Sequence, residues 1–362
     1  MIKILGTGLP VIGYAKIGQS SPKESRLRGA PERYDHIELT GRERDSIGRL
    51  VPDLPLMKQL VESEEIPTCG GCERSKELGF PGGLPRRLPI YLPYNKLDLN
   101  LPNRLALYRS GTAFCVGDGE KGQRLKVITE ARGDGQPAVF GPPEPFGPCG
   151  PGCLDFEGGR CKPNAKLQFI LATQKNVGGV FQFKTTSWNS IRNLIGSLEM
   201  IQTATGGMLQ WIPLFFDVSP QTVQPKGGGR ANIAYIARVT FPGTPQQLLE
   251  TVRDTLQLRA PLMAEIRQLE ASIERGVDWK EPPEEAADVE AEFYPEETAP
   301  AARAARTEER QGGSTVGAPA RHQAEPEDAE LVNEPTPEAP PPAATAAKIT
   351  KPAQTSWADQ AF

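Results

Sequence analysis

The 47 residues from Cys115 to Cys161 set the strictest condition on how this chain can fold. Glycine and proline punctuate the stretch, which favours tight turns over helix or strand. It carries too few apolar side chains to order itself by burial. Four of the six cysteines fall here, and Cys149, Cys153 and Cys161 lie within 13 residues. Turns of this kind can bring thiolates to one point, and Cys115 is the natural fourth ligand. Tetrahedral zinc needs four soft nitrogen or sulfur donors, about 2.3 Å away for sulfur, and its binding free energy would then order the loop. The reading is a structural zinc knuckle inserted at about residues 115–165.

The C-x3-C-x7-C spacing is weaker than a doubled C-x2-C signature. Cys69 and Cys72 form a true C-x2-C in Thr-Cys-Gly-Gly-Cys-Glu, so they are alternative ligands that could displace Cys115 or build a second, partial site. Reduced cysteines that only pack are the bland alternative. Disulfides are disfavoured, because Met-Ile-Lys-Ile-Leu-Gly-Thr-Gly-Leu-Pro lacks the apolar core of a signal peptide and so implies a reducing compartment. His36, one of two histidines, has no partner at knuckle or helical spacing and is a thin metal signal.

Charge is divided unevenly. The segment 276–362 holds 18 acidic and 7 basic residues among runs of Pro, Ala and Glu, and cannot repay its ordering entropy, so disorder is expected there. That leaves 34 basic and 27 acidic residues in 1–275, a body of net +7 beside a tail of net −11. A basic body gains counterion-release energy on a phosphate backbone, and a tethered acidic tail competes for the same surface. The equally ordinary reading is a solubilising tail. No apolar run approaches the roughly 20 residues that span a bilayer, so no membrane partner is expected.

Within the body, Pro10–Gly18 reads as a short strand, and residues 166–173 and 179–184 as two more. Residues 186–201 form a helix capped by Ser187, with Ile191, Leu194, Ile195, Leu198 and Ile201 at three-to-four spacing. Two further strands, 209–218 and 231–241, flank a loop with Lys226-Gly-Gly-Gly-Arg230. Residues 244–275 are helical with a kink at Pro261. Leu-Pro-Arg86-Arg87-Leu-Pro reads as an edge strand, since proline cannot donate to a ladder. Arg86, Arg87, Lys226 and Arg230 are the cations expected to meet DNA or a protein partner. Gly117-Asp-Gly-Glu-Lys-Gly122 matches G-x-G-x-x-G, but an alternating strand pattern follows it where a dinucleotide site needs a helix. The fold class is α+β, mostly antiparallel, with packed helices, the knuckle insertion and the acidic tail.

These elements, in this order, resemble the recombination directionality factor-like group of phage proteins. The resemblance rests on Cys115-Val-Gly-Asp-Gly, on Cys149-Gly-Pro-Gly-Cys153 with Cys161-Lys162 before a strand, and on Phe183-Lys-Thr-Thr-Ser-Trp188. The Gly-Tyr-Ala-Lys-Ile-Gly strand and Ile212-Pro213-Leu214 extend it to roughly residues 1–262. It implies a non-enzymatic, metal-binding accessory protein of the phage-infected host cytoplasm. Some members of the group bind a large serine integrase on its DNA sites and bias it toward excision. Relatives also carry hydrolase or metal-binding labels, yet a hydrolase needs a nucleophile or carboxylate pair that the motifs do not supply. Asp118 and Glu120 instead suit the turn beside Cys115.

A second function remains open. The tip Ser-Trp357-Ala-Asp359-Gln-Ala-Phe362 resembles the acidic, Phe-terminated ends with which bacterial single-strand-binding proteins recruit replication partners. Such a body would stack bases on aromatics, with Tyr108, Phe114, Phe181, Phe183 and Trp211 as the candidates, although core packing is the stronger expectation for them.

Overall fold

The structure, a computed structural model, describes residues 9–19, 32–46, 49–63, 66–129, 138–174, 178–223, 232–276 and 283–294. The chain opens with β1 (Val11–Gln19), β2 (Glu32–Arg44), β3 (Leu50–Pro52), α1 (Leu54–Ser63) and the one-turn α2 (Glu73–Glu77). Next come β4 (Arg87–Tyr91), α3 (Leu97–Asn100) and the strands β5 (Asn103–Arg109), β6 (Thr112–Gly117), β7 (Gly122–Thr129) and β8 (Val139–Phe146). After α4 (Leu154–Glu157) follow β9 (Lys162–Leu171), β10 (Val180–Thr185), α5 (Trp188–Ala204), β11 (Leu214–Val223) and β12 (Asn232–Thr240). The described chain closes with α6 (Pro245–Arg259), a 3-10 turn at Ala260–Leu262, α7 (Met263–Gly276) and α8 (Pro283–Phe293).

The 12 strands among the described residues join one sheet, ordered β3-β2-β1-β10-β9-β5-β6-β7-β8, with β4, β11 and β12 branching from β9. Among these strands only the β1–β10 pair is parallel; the other ladders are antiparallel. The branch arises because the first half of β9 pairs with β5 and its end, Ile170 and Leu171, pairs with β4. The expected mixed, mostly antiparallel fold is therefore present. The edge reading of β4 is corrected: it lies between β9 and β11, and the Pro89 carbonyl accepts from Ala172 N at 3.0 Å.

Directly opposed residues project to one side of a sheet. Ala15, Ile37, Leu39, Leu167, Phe169, Phe181 and Phe183 face inward, where β4, β11, β12, α5 and α6 close the core with Ile90, Phe216, Val239, Leu194, Leu198 and Leu248. Phe169 stacks on Phe216 with centroids 5.8 Å apart, and Phe183 packs tilted against it at 4.9 Å. Ser187 caps α5 by accepting from Ser190 N, and Ser190 and Ser197 Oγ accept from the amides of Ala237 and Val239 on β12, whose outer side has no strand partner among the described residues. Pro261 falls in the 3-10 turn that separates α6 from α7, as its missing N–H requires.

The opposite side of the sheet is polar. Tyr14 lies opposite Thr40 and Gln182, Lys184 opposite Lys166, and Ala106 opposite Lys162. Helix α8 covers part of this side. The composition of 276–362 gives no sign of an ordered element, but Ala286, Val289 and Tyr294 are buried against Ala106 and Tyr108. A short amphipathic stretch is averaged out in a long acidic tail. Among the described residues no helix is long and apolar enough to cross a membrane.

Candidate metal centres

Two cysteine clusters sit at different places on the sheet. The first draws on β2 and on the loop between α1 and α2. Thr68 bridges Pro85, Ile37 N donates to Pro85 O at 2.8 Å, and Arg86 N donates to Pro67 O at 2.7 Å, which ties the loop to β2. Gly70 and Gly71 then turn the chain with φ of +74° and +86°, angles that side-chain-bearing residues rarely adopt. A Cβ at Gly71 would stand 2.4 Å from Pro81 O. The turn brings Cys69 Sγ within 3.6 Å of Cys72 Sγ, and Cys72 Sγ within 3.6 Å of His36 Nδ1. Asp35 Oδ1 lies 3.2 Å from the same nitrogen.

One donor atom each from Asp35, His36, Cys69 and Cys72 thus falls within 4.8 Å of every other, a cluster that could hold a metal ion. Zinc bond lengths in a tetrahedron give edges of about 3.8 Å between two sulfurs, about 3.6 Å from sulfur to nitrogen and about 3.4 Å from nitrogen to oxygen. The three separations found match that set to within a few tenths of an ångström. His36 is 1% exposed, stacks on Tyr34 at 4.9 Å, and its Nε2 has no hydrogen-bond partner. That nitrogen points toward Glu38 Oε1 at 3.6 Å, and Arg74 Nε donates to the same oxygen at 2.8 Å. A carboxylate behind the free nitrogen of a ligating histidine is the usual way such a ring is oriented.

The electrostatics agree. Burial opposes the Cys69 thiolate, but amides of Cys72, Leu84 and Gly71 with the Cys72 thiol outweigh it and bring the pKa down to about 7. Burial likewise disfavours charge on Asp35 and Glu38. Arg86 with His36, and His36 with Arg74, reverse that and hold both carboxyls below their usual range. Hydrogen bonds to Glu38 and Asp35 raise the His36 pKa against its own burial.

The second cluster is the predicted quartet. Cys115 on β6, Cys149, Cys153 and Cys161 line one cavity of about 10 Å³ with Gly117, Arg124 and Asp155. Asp118 Oδ1 accepts from the amides of Glu120 and Lys121 and closes the β6–β7 turn, so the G-x-G-x-x-G match is a hairpin. Cys149 N donates to Glu120 O at 3.1 Å, and Cys161 N to Asp155 O at 2.9 Å. A Cβ at Gly117 would lie 2.4 Å from Cys149 Sγ, so only glycine leaves room for that sulfur. Burial, then the thiols of Cys115, Cys149 and Cys153, push Cys161 up to about 12. Burial also raises Cys115, against the Arg124 guanidinium.

The sequence pattern separates the two clusters less clearly than the fold does. Cys69 and Cys72 join His36 and Asp35, and complete no part of the quartet's cavity. Asp35 carries no sequence signal, because charged residues of both signs are scattered along β2. Arg86 and Arg87, expected to face DNA or a partner, are half-buried and paired with carboxylates: Arg86 pairs with Asp35, and Arg87 Nε meets Asp217 Oδ1 at 2.5 Å. Of the aromatics considered for base stacking, Tyr108, Phe114, Phe181 and Phe183 are buried, and Trp211 is half-buried. Lys226, Arg230, Trp357, Asp359 and Phe362 lie outside the described residues.

Fold and clusters together define a sheet-based α+β protein with a Cys/His/Asp cluster suited to a metal ion. No curated protein and no protein of solved structure matches the chain. A family model does match residues 12–242, and the chain belongs to that family, the Gp3-like, recombination directionality factor-like proteins.

Proposed function

We propose that this protein is a zinc-stapled, non-enzymatic phage accessory factor that acts on DNA with a serine integrase and biases recombination toward excision. The family match carries this reading: residues 12–242 run from β1 to β12 and take in both cysteine clusters. Zinc would be held by Cys69, Cys72, His36 and Asp35, and by Cys115, Cys149, Cys153 and Cys161. Bound there, it supplies binding energy that orders loops with little to bury.

The donor sets favour a structural role. Each offers four ligands, and a closed four-ligand site leaves no position for a reacting water. Glu38, Arg74 and Arg86 wall in the first cluster, and Arg124, Phe146 and Asp155 wall in the second. The first cluster fixes β2 to the 66–86 loop, and the second fixes the β6–β7 turn to the start of β9. The surfaces held this way would meet integrase and DNA.

The test is a recombination assay with the cognate serine integrase and substrates for both directions. Adding the protein should raise excision and lower integration. Unchanged rates in both directions, with properly folded protein, would refute the role.

A further inference from the structure

Helix α8 lies on the polar side of the sheet and turns its acids toward the sheet's cations. Glu292 Oε2 meets Lys16 Nζ at 3.1 Å, and Glu285 Oε2 lies 3.3 Å from Lys184 Nζ and 3.8 Å from Lys166 Nζ. Asp288 takes Arg44 in a two-pronged pair, with Nη1–Oδ1 at 2.9 Å and Nη2–Oδ2 at 2.5 Å. Lys162 Nζ donates to Phe293 O at 2.7 Å and stands over the Tyr294 ring. Residues 285, 288 and 292 are spaced three and four apart, so their carboxylates form one row along the helix.

The strands beneath set out a matching row. Lys162, Lys166, Lys184, Lys16 and Arg44 come from β9, β10, β1 and β2, and cross the sheet beside Tyr14, whose ring lies 4.9 Å from Lys184 Nζ. Close lysines repel, as Lys166 and Lys184 must where they are directly opposed in the ladder. The helix relieves that repulsion with three carboxylates. Its apolar anchorage is a small cluster of Ala286, Val289 and Tyr294 against Ala106 and Tyr108, flanked by Ala113 and Phe293, with Tyr294 OH donating to Ala106 O at 2.8 Å and Glu290 accepting from Gly111 N. A contact held in large part by charge is one that a competing polyanion can displace.

We infer that this lysine-rich side of the sheet is a DNA-backbone binding surface, and that α8 is its tethered acidic occupant. The inference deepens the DNA-associated role proposed above and rests on it. DNA would release the helix and take its place on Lys16, Lys162, Lys166, Lys184 and Arg44. The tail then sets a threshold, so the factor engages DNA firmly only where local DNA concentration is high, as on an integrase-bound site.

The experiment compares the full chain with a Glu285→Gln/Asp288→Asn/Glu292→Gln variant for binding to a mixed-sequence duplex and to its single strands. Freeing the cations should tighten binding by about tenfold or more, and steepen the log–log salt dependence by about 0.9 for each cation that gains a phosphate. Adding Lys16→Gln, Lys166→Gln and Lys184→Gln should abolish the gain. Tightening on single strands but not duplex would keep the surface and assign it to unpaired DNA. No tightening on either, with the fold intact by circular dichroism, would overturn the inference.

Hydrogen exchange on the unmodified protein gives a second reading that needs no variant. Amides of 283–294 should exchange faster once DNA is bound, and unchanged protection with DNA bound would place DNA elsewhere and overturn the inference. The recombination assay keeps the two readings apart. A chain that shifts integrase toward excision but fails both binding tests keeps its function and loses this surface.

Discussion

Replacing Glu38 by glutamine probes the most specific feature of the first cluster, the carboxylate behind His36. The Glu38 side chain is 7% exposed, lies 3.6 Å from His36 Nε2, and accepts Arg74 Nε at 2.8 Å and Nη2 at 3.3 Å. Glutamine keeps the shape and one acceptor for Arg74, and removes the charge that would hold the second ring nitrogen. If His36 ligates zinc through Nδ1, losing that support should weaken metal affinity about 10- to 100-fold, or about 1.4–2.7 kcal/mol. Weakening the charge-assisted bonds to Arg74 should separately cost the metal-free protein about 1–2 kcal/mol. Chelator competition measures the first effect, and thermal unfolding with and without chelator measures the second. Cobalt(II) absorption identifies which centre has changed, because a two-thiolate site and a four-thiolate site differ in charge-transfer intensity. A variant that holds metal at this centre as tightly as the parent, while losing stability only when metal-free, would refute the histidine–carboxylate arrangement.

Elemental analysis should find two zinc ions per chain. Cys149→Ser or Cys161→Ser should each remove one and Cys69→Ser the other, and equal zinc in parent and variants would reject both assignments. Gly71→Ala forces a Cβ to 2.4 Å from Pro81 O at a φ of +86°, and should cost about 1–3 kcal/mol and loosen metal at the first cluster, read by melting and chelator competition. Ser187→Ala deletes the oxygen that accepts from Ser190 N, and should lower stability by about 1 kcal/mol in denaturant titration without changing metal content. A metal loss there would mean that α5 and the clusters are coupled in a way their separate positions do not explain.

The parts of the fold legible in the sequence are those fixed by near neighbours. Ser187 caps α5 through a residue three positions on, Pro261 breaks the α6–α7 run at its own position, and the alternation from Arg124 onward falls in β7. Glycine turns over 13 residues also allow Cys149, Cys153 and Cys161 to line one cavity with Cys115, but among the described residues the four donor atoms that lie within 4.8 Å of one another belong to Asp35, His36, Cys69 and Cys72. Residues joined through strand pairing were not legible. Asp35 and His36 reach Cys69 and Cys72 only because β2 holds the 66–86 loop, a contact across more than 30 positions of chain.

The sequence by itself determined that this protein has a basic body and an acidic tail, two groups of thiols in glycine-rich turns, and a mixed fold. Those properties follow from composition and from interactions over three or four residues. The tertiary structure decided which thiols share a site, that β4 is interior, that Arg86 and Arg87 face carboxylates, and that one stretch of the tail folds onto the lysines of the sheet. Each of these depends on which side of a strand a residue occupies and on which strand lies beside it. Period and charge cannot specify that until the whole sheet is assembled.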